Sequence, residues 1–231
     1  WWPICCLDWS NDTTHLERYL AQVNAIVHQV PNDPDLPSFQ KLNLFTAAMA
    51  QMALEHTLGR PGSSAETLTQ ASLRLAGAGL SVPGRSEVLR HEPAVIIDGA
   101  NNPDGAEHLA QYLIRHVESG RSPRVVGAPR LILVLGILAD KDYAAMIQRL
   151  APLAAIVIVT QSSSPRAAPV ALLATAAQRY CRQVTAVTPV QAAMEHALRL
   201  AHADDVICVT GSFYTIAEVD RQAIRTFPIE K

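Results

Sequence analysis

Apolar runs at residues 94–97, 131–137, 155–160 and 206–210 recur along the second half of the chain, and each is followed by a segment with helical periodicity. A run of four to seven residues is too short for a buried helix. A strand that is apolar at nearly every position has to be covered on both faces. Strands of that kind alternating with helices form parallel sheets, because the helix carries the chain back to the same end before the next strand begins.

The remaining segments fit the same rhythm. A short strand is expected at 87–90, ahead of the strand 94–98. Helices are expected at 103–118, 143–150, 170–182 and 189–203, a shorter strand at 184–187, and a closing helix from Ser212. Polar loops fall at 121–129 and 161–169. The expectation is an α/β fold: a doubly wound, mainly parallel, Rossmann-like sheet of about five or six strands. Before residue 83 the pattern changes. Residues 14–28, 38–58 and 64–76 read as helices, separated by a Pro-rich loop at 31–37 and by Gly59-Arg60-Pro61-Gly62. The expected organisation is therefore a mostly helical region over residues 1–82 and an α/β domain over 83–231. Residues 77–84 resemble a GxGxxG only superficially, since the third glycine is missing and no strand precedes it.

Composition narrows the function. With 49% apolar residues among 231, a sizeable core is possible. A net charge of −2 and a pI near 6.5 give no basic footprint for nucleic acid or for an anionic membrane surface. No apolar run approaches the length of a membrane span, and the start at Trp1 has no basic n-region of a signal peptide. Four cysteines without a CxxC pair suit a reducing, cytoplasmic setting. The eight histidines show no metal-ligand spacing. The chain opens on Trp and has no Met before Met49, as a fragment of a longer protein would.

In a sheet of this kind the loops after the strand C-termini carry ligands. Here they are 98–102 (Asp-Gly-Ala-Asn-Asn), 138–142 (Leu-Ala-Asp-Lys-Asp), 161–166 and 210–212 (Thr-Gly-Ser). They offer carboxylates, cations and helix N-termini, which suits a substrate bearing carboxylate or phosphate. Structural alternatives stand beside each. Asp98 can take hydrogen bonds from its own turn, Asp142 can cap the next helix, Lys141 can be solvated, and Gly211-Ser212 can be a turn and cap.

Several motifs occur in order: P-G-R-S-E-V at 83–88, D-G-A-N-N-P-D-G-A at 98–106, G-I-L-A-D-K-D at 136–142, S-P-R-A at 164–167 and V-T-G-S-F-Y at 209–214. They are preceded by F-Q-K-L-N at 39–43. The set resembles the C-terminal domain of folylpolyglutamate synthase/dihydrofolate synthase, in the Mur ligase superfamily, with the tail of that family's central domain before it. The resemblance implies an ATP-dependent ligase of folate biosynthesis and one-carbon metabolism. In that chemistry a folate or dihydropteroate carboxylate becomes an acyl phosphate, and glutamate's amine then attacks it. It implies that Asn43 contacts the nucleotide base, that Arg85 reaches the ATP phosphates, and that Asp98 holds the ribose hydroxyls. Lys141, Arg166 and Ser212 become substrate-rim candidates, with Lys141 paired to a glutamate carboxylate. The complete enzyme is expected to be a monomer using ATP and Mg2+, with the magnesium ligands lying outside this chain.

Two departures matter. Asn101 stands where the family has His, and an amide can donate a hydrogen bond but cannot carry a proton at neutral pH. No G-x-x-x-x-G-K-[ST] phosphate loop occurs in the 231 residues. No catalytic residue is assigned, and little activity is expected of this piece alone. The alternative is a non-catalytic nucleotide- or anion-binding α/β module. A nucleotide-linked oxidoreductase is disfavoured by the missing glycine fingerprint.

Overall fold

The computed structural model describes Thr46 and residues 82–119 and 129–228. The chain divides into two units between Ser81 and Val82, and the second holds all the elements described here. The helices expected at 14–28, 38–58 and 64–76, the loop at 121–128 and Asn43 lie outside the described residues.

Six strands form one sheet: β1 (Glu87–His91), β2 (Ala94–Ile97), β3 (Leu131–Leu135), β4 (Ile156–Val159), β5 (Val184–Ala186) and β6 (Val206–Thr210). Their spatial order is β1-β2-β6-β3-β4-β5. All neighbours are parallel except β1, which pairs antiparallel with β2 through a short turn. The helices are α1 (Pro103–Ser119), α2 (Tyr143–Leu150), α3 (Val170–Ala177), α4 (Val190–Leu200), α5 (Phe213–Ala217) and α6 (Arg221–Thr226).

The continuous apolar runs are explained by what covers them. On β3, Leu131, Leu133 and Leu135 face one core, and Ile132 and Val134 face the other. The first core is closed by Leu109 and Leu113 of α1, by Met146, Ile147 and Leu150 of α2, and by Leu173 of α3. The second is closed by Val190, Met194 and Leu198 of α4, Ile216 of α5 and Ile224 of α6. Each such side chain contributes about 1.5–3 kcal/mol when fully buried. A sheet covered on both sides therefore tolerates no polar alternation.

Several boundaries differ from expectation. Strand β3 stops at Leu135 rather than 137; Gly136 N–H still donates to the Thr210 carbonyl, but the Ile137 carbonyl accepts from Ala168 N–H in the loop after β4. Helix α3 ends at Ala177 rather than 182. Beyond it, Arg179 and Tyr180 donate to Ala176 and Ala177 in a tighter turn. The single closing helix is two. Asp220 interrupts it and caps α6, accepting from the backbone N–H groups of Gln222 and Ala223.

At the lower edge of the sheet, Asp205 joins β3 to β6. Its carboxylate accepts from the Arg130 backbone and side chain (2.9 and 2.6 Å) and from the His202 backbone (2.8 Å). This clamp aligns the starts of the two central strands. It is thereby part of what places their C-terminal ends side by side.

Candidate functional site

The strand order fixes where a ligand can enter. Helices α1, α2 and α3 leave β2, β3 and β4 on one face of the sheet, while β6, lying between β2 and β3, sends its chain to the other face. A crevice opens at such a switch point, outside the carboxyl ends of the strands. The loop after β2, the turn after β6 and the loop after β3 border it.

Asp98 ends β2 and is 4% exposed. Its Oδ1 accepts from the Ala100 backbone N–H at 2.8 Å. Its Oδ2 accepts from the Ser86 backbone N–H at 2.7 Å and from the Ser86 hydroxyl at 3.2 Å. Burial raises its pKa above the usual carboxylate value, although the Ser86 and Ala100 hydrogen bonds and the nearby Arg85 charge pull the other way. Asp98 thus serves its own turn and also holds the loop that precedes β1.

That loop, residues 84–87, is fastened at several points. Gly99 N–H donates to the Gly84 carbonyl at 2.8 Å. Gly84 N–H donates to Glu87 Oε2 at 2.8 Å, and Glu87 Oε1 lies 3.5 Å from Arg221 Nε of α6. Gly84 has φ +73°, and a Cβ there would come within 2.5 Å of Ile216. Ser86 sits at φ +47°, in the left-handed region that costs a non-glycine residue energy. The result is a tight loop that presents Arg85, which is exposed and stacks its guanidinium 4.7 Å above the centre of the Phe213 ring. Phe213 opens α5, so the turn after β6 supports the cation of the loop before β1. A Cβ on Gly99 would meet the same ring at 2.5 Å. The glycine of the D-G-A motif is therefore what lets Phe213 lie across the strand end.

The other rim candidates are distributed differently. Arg166 Nη2 pairs with Asp140 Oδ2 at 2.6 Å, and Lys141 Nζ lies 3.7 Å from the same oxygen. Hydrogen bonding to Arg166 holds the Asp140 carboxyl below its usual range. The Ala139 N–H to Arg166 carbonyl bond (2.8 Å) joins the loops after β3 and β4, so both cations share one exposed edge. Asp142 caps α2 through Ala145 N–H at 3.0 Å. Asn102 accepts from Gly105 N–H at 2.7 Å at the start of α1, and Asn101 beside it is half-buried.

Ser212 is not on the open rim. It is 1% exposed, its Oγ accepts from Thr215 N–H at 3.0 Å, and it lies 3.0 Å from the Thr215 hydroxyl. Thr215 in turn donates to the Gly136 carbonyl at 2.8 Å. The hydroxyl expected to meet substrate is engaged as the cap of α5. Thr160, Ser162 and Thr210, at or just beyond the ends of β4 and β6, carry buried hydroxyls with no protein partner. Among the described residues, no group of three or more His, Cys, Asp or Glu side chains could hold a metal ion, and no helix is long and apolar enough to cross a membrane.

Sequence reasoning missed Ser86, Glu87, Phe213 and Thr215, which hold the loops. Only P-G before Arg85 signalled a turn there. Nothing in the sequence marked Ser86 for a left-handed backbone.

A doubly wound sheet with a buried carboxylate and an exposed arginine beside its switch point defines an α/β domain whose crevice lies where open sheets of this kind take ligands. Comparison with known proteins makes this specific. The model of the Mur ligase glutamate ligase domain matches residues 84–213, more than half of the chain, and the chain belongs to that family. It is 34% identical over 148 residues to the dihydrofolate synthase/folylpolyglutamate synthase of Mycobacterium tuberculosis, covering 64% of this chain and 28% of that protein. Its fold matches M. tuberculosis folylpolyglutamate synthase complexed with ADP, with a TM-score of 0.62 at 27% identity over 84% of this chain and 41% of the other. It also matches the Yersinia pestis bifunctional folylpolyglutamate synthase/dihydrofolate synthase complexed with AMPPNP and Mn ion, with a TM-score of 0.58, 27% identity, and 75% and 37% coverage. The chain spans less than half the length of these relatives.

Proposed function

We propose that this chain supplies the nucleotide- and glutamate-facing wall of an ATP-dependent ligase that joins glutamate to a folate or dihydropteroate carboxylate. The observation that carries the reading is the pairing of Asp98 and Arg85 on adjoining, mutually fastened loops, inside the segment that matches the glutamate ligase domain.

In the proposed reaction, a carboxylate oxygen of the acceptor attacks the γ-phosphorus of ATP, ADP leaves, and an acyl phosphate forms. The amine of glutamate then attacks the acyl carbon, phosphate departs, and the amine loses a proton as the amide forms. Asp98 accepts the ribose hydroxyls and fixes the nucleotide. Arg85, permanently charged and held by Phe213, neutralises phosphate charge as it shifts toward the leaving ADP. Phosphoryl transfer of this kind depends mainly on positioning and charge stabilisation. Lys141 and Arg166 converge on a single carboxylate, Asp140, on an exposed edge of the rim. A glutamate carboxylate is the complementary partner. The unpartnered hydroxyls of Thr160, Ser162 and Thr210 mark the same end of the sheet as polar. The described residues do not make a divalent-metal site, so no step is assigned to a metal here.

The test is ATP-dependent phosphate release with dihydropteroate or a reduced folate plus glutamate, run on this chain and on an N-terminally extended form. Release is expected from the extended form and little from the 231-residue chain. No release from the extended form refutes the ligase reading. In the extended form, Arg85→Ala and Asp98→Ala should each weaken nucleotide binding at least about tenfold, or 1.4 kcal/mol. Unchanged affinity in both refutes the residue assignment. Asn101 in place of the family's His, with no G-x-x-x-x-G-K-[ST] in these residues, favours a second reading as a non-catalytic nucleotide-binding module. Nucleotide binding without phosphate release from either form would support it.

A further inference from the structure

We propose that the Ser86 hydroxyl sets the selectivity of Asp98 for a vicinal diol. It occupies the acceptor position that a second ribose hydroxyl needs, and yields that position when a ribonucleotide binds. The proposal rests on the reading of Asp98 as the ribose ligand.

An ionised carboxylate offers about four acceptor positions. Three are filled here: one on Oδ1 by Ala100 N–H, and two on Oδ2 by the backbone N–H and hydroxyl of Ser86. One remains. A ribose with both hydroxyls donating requires two, whereas a 2′-deoxyribose requires one. Something must leave, and the three existing bonds are unequal. The two backbone bonds are short, at 2.8 and 2.7 Å, and they fix the loop and the turn. The hydroxyl bond at 3.2 Å is long for a hydroxyl on a carboxylate, where about 2.5–2.7 Å is usual. It is also the only one of the three that a side-chain rotation can break without moving the backbone. Ser86 is half-buried, whereas Asp98 is nearly closed off from solvent.

The positive φ of Ser86 allows a clean test. Glycine accepts φ +47° without strain and keeps the N–H that donates to Oδ2, so Ser86→Gly removes the hydroxyl while the loop is retained. Ser86→Ala removes the same hydroxyl but keeps Cβ. Binding of ATP and of 2′-deoxy-ATP to the 231-residue chain and both variants is followed by NMR titration of the backbone amides of residues 84–100. The preference for ATP over 2′-deoxy-ATP should rise about three- to tenfold in both variants, through tighter ATP binding with 2′-deoxy-ATP unchanged. A preference that stays the same or falls in both overturns the proposal and leaves the ribose reading intact. Absence of any shift around Ser86 and Asp98 with either nucleotide overturns the ribose reading, and the proposal with it. A purely structural role for Ser86 would weaken both nucleotides alike.

Discussion

Gly211 is the position where the rim is least able to absorb a change. It follows β6, has φ +108°, and its backbone packs directly against the exit of β3. A Cβ there would lie 2.5 Å from the Gly136 carbonyl oxygen, 2.9 Å from its carbon and 2.8 Å from Ile137 Cγ1. Two costs follow for Gly211→Ala. Holding a non-glycine residue at this φ costs about 1–3 kcal/mol. Forcing a methyl against backbone rather than against a mobile side-chain end costs about 1–3 kcal/mol more. The obstructing carbonyl also accepts the Thr215 hydroxyl at 2.8 Å, and Gly136 N–H donates to the Thr210 carbonyl. Displacing Gly136 therefore strains the bond that ties α5 to the sheet. The lost flexibility of the unfolded chain returns about 0.4–1 kcal/mol. The net expectation is a loss of about 3 kcal/mol, within a range of about 1–6 kcal/mol, a large share of the roughly 5–15 kcal/mol typical of a folded domain.

Urea unfolding followed by circular dichroism measures this, and Gly105→Ala is the internal control. Gly105 lies in the first turn of α1, and its added Cβ would meet nothing closer than Asn102 Oδ1 at 3.3 Å. Its helical backbone favours alanine by about 0.5–1 kcal/mol. The control should stay within about 1 kcal/mol of the parent, with the transition for Gly211→Ala displaced to lower urea at unchanged slope. A Gly211→Ala protein as stable as the parent would refute the packing argument, because the two costs together exceed the returned entropy even at their lower ends.

Gly99→Ala should behave differently, because the obstacle is the outer edge of the Phe213 ring, a 41%-exposed side chain that can swing aside. Stability should fall by only about 1 kcal/mol, while nucleotide affinity drops several-fold with the loss of the Arg85 platform; calorimetric titration of Gly99→Ala beside Phe213→Ala should give matching losses. Asp205→Ala strips the carboxylate from Arg130 and from two backbone donors, and should cost about 3 kcal/mol in urea unfolding, the low end for a broken buried pair because Arg130 keeps some solvent. The two buried carboxylates should leave opposite marks on stability against pH. Burial pushes the Asp205 pKa up, but the Arg130 side chain and two backbone N–H groups outweigh it and leave it lowered, so its contribution is full above 3.8 and fades as pH falls below that value. Asp98 is raised, so the native state holds its proton more tightly, and stability declines as pH rises from 3.8 through the raised value. Unfolding between pH 2 and 7 should show the acid-side loss diminished in Asp205→Ala and the decline above 3.8 diminished in Asp98→Ala; identical profiles for all three proteins would contradict both assignments.

What the sequence makes legible follows from what each residue answers to. Strands β2, β3, β4 and β6 were visible because burial on two faces excludes polar residues, and a run such as LILVL has no other economical explanation. The antiparallel direction of β1 was not legible, since Glu87–His91 carries no mark of which way it runs; the short turn at 92–93 decides it. The split between α5 and α6 depended on Asp220 reaching two backbone N–H groups, a capping geometry that a Val-Asp-Arg stretch does not announce. At the site, Asp98 stood out because a carboxylate at the end of an apolar strand has no packing reason to be there. Ser212 was ambiguous for a physical cause, because a hydroxyl after a turn glycine suits both a ligand and a helix N-terminus, and here the N-terminus takes it. Ser86 and Glu87 read as ordinary polar residues at a strand start. Their importance comes from partners twelve residues away at Asp98 and on α6 at Arg221, distances that no local pattern encodes. The groups that meet a ligand sit where strands end and can be found by position. Those that hold them in place are defined by contacts between loops, and these the fold alone supplies.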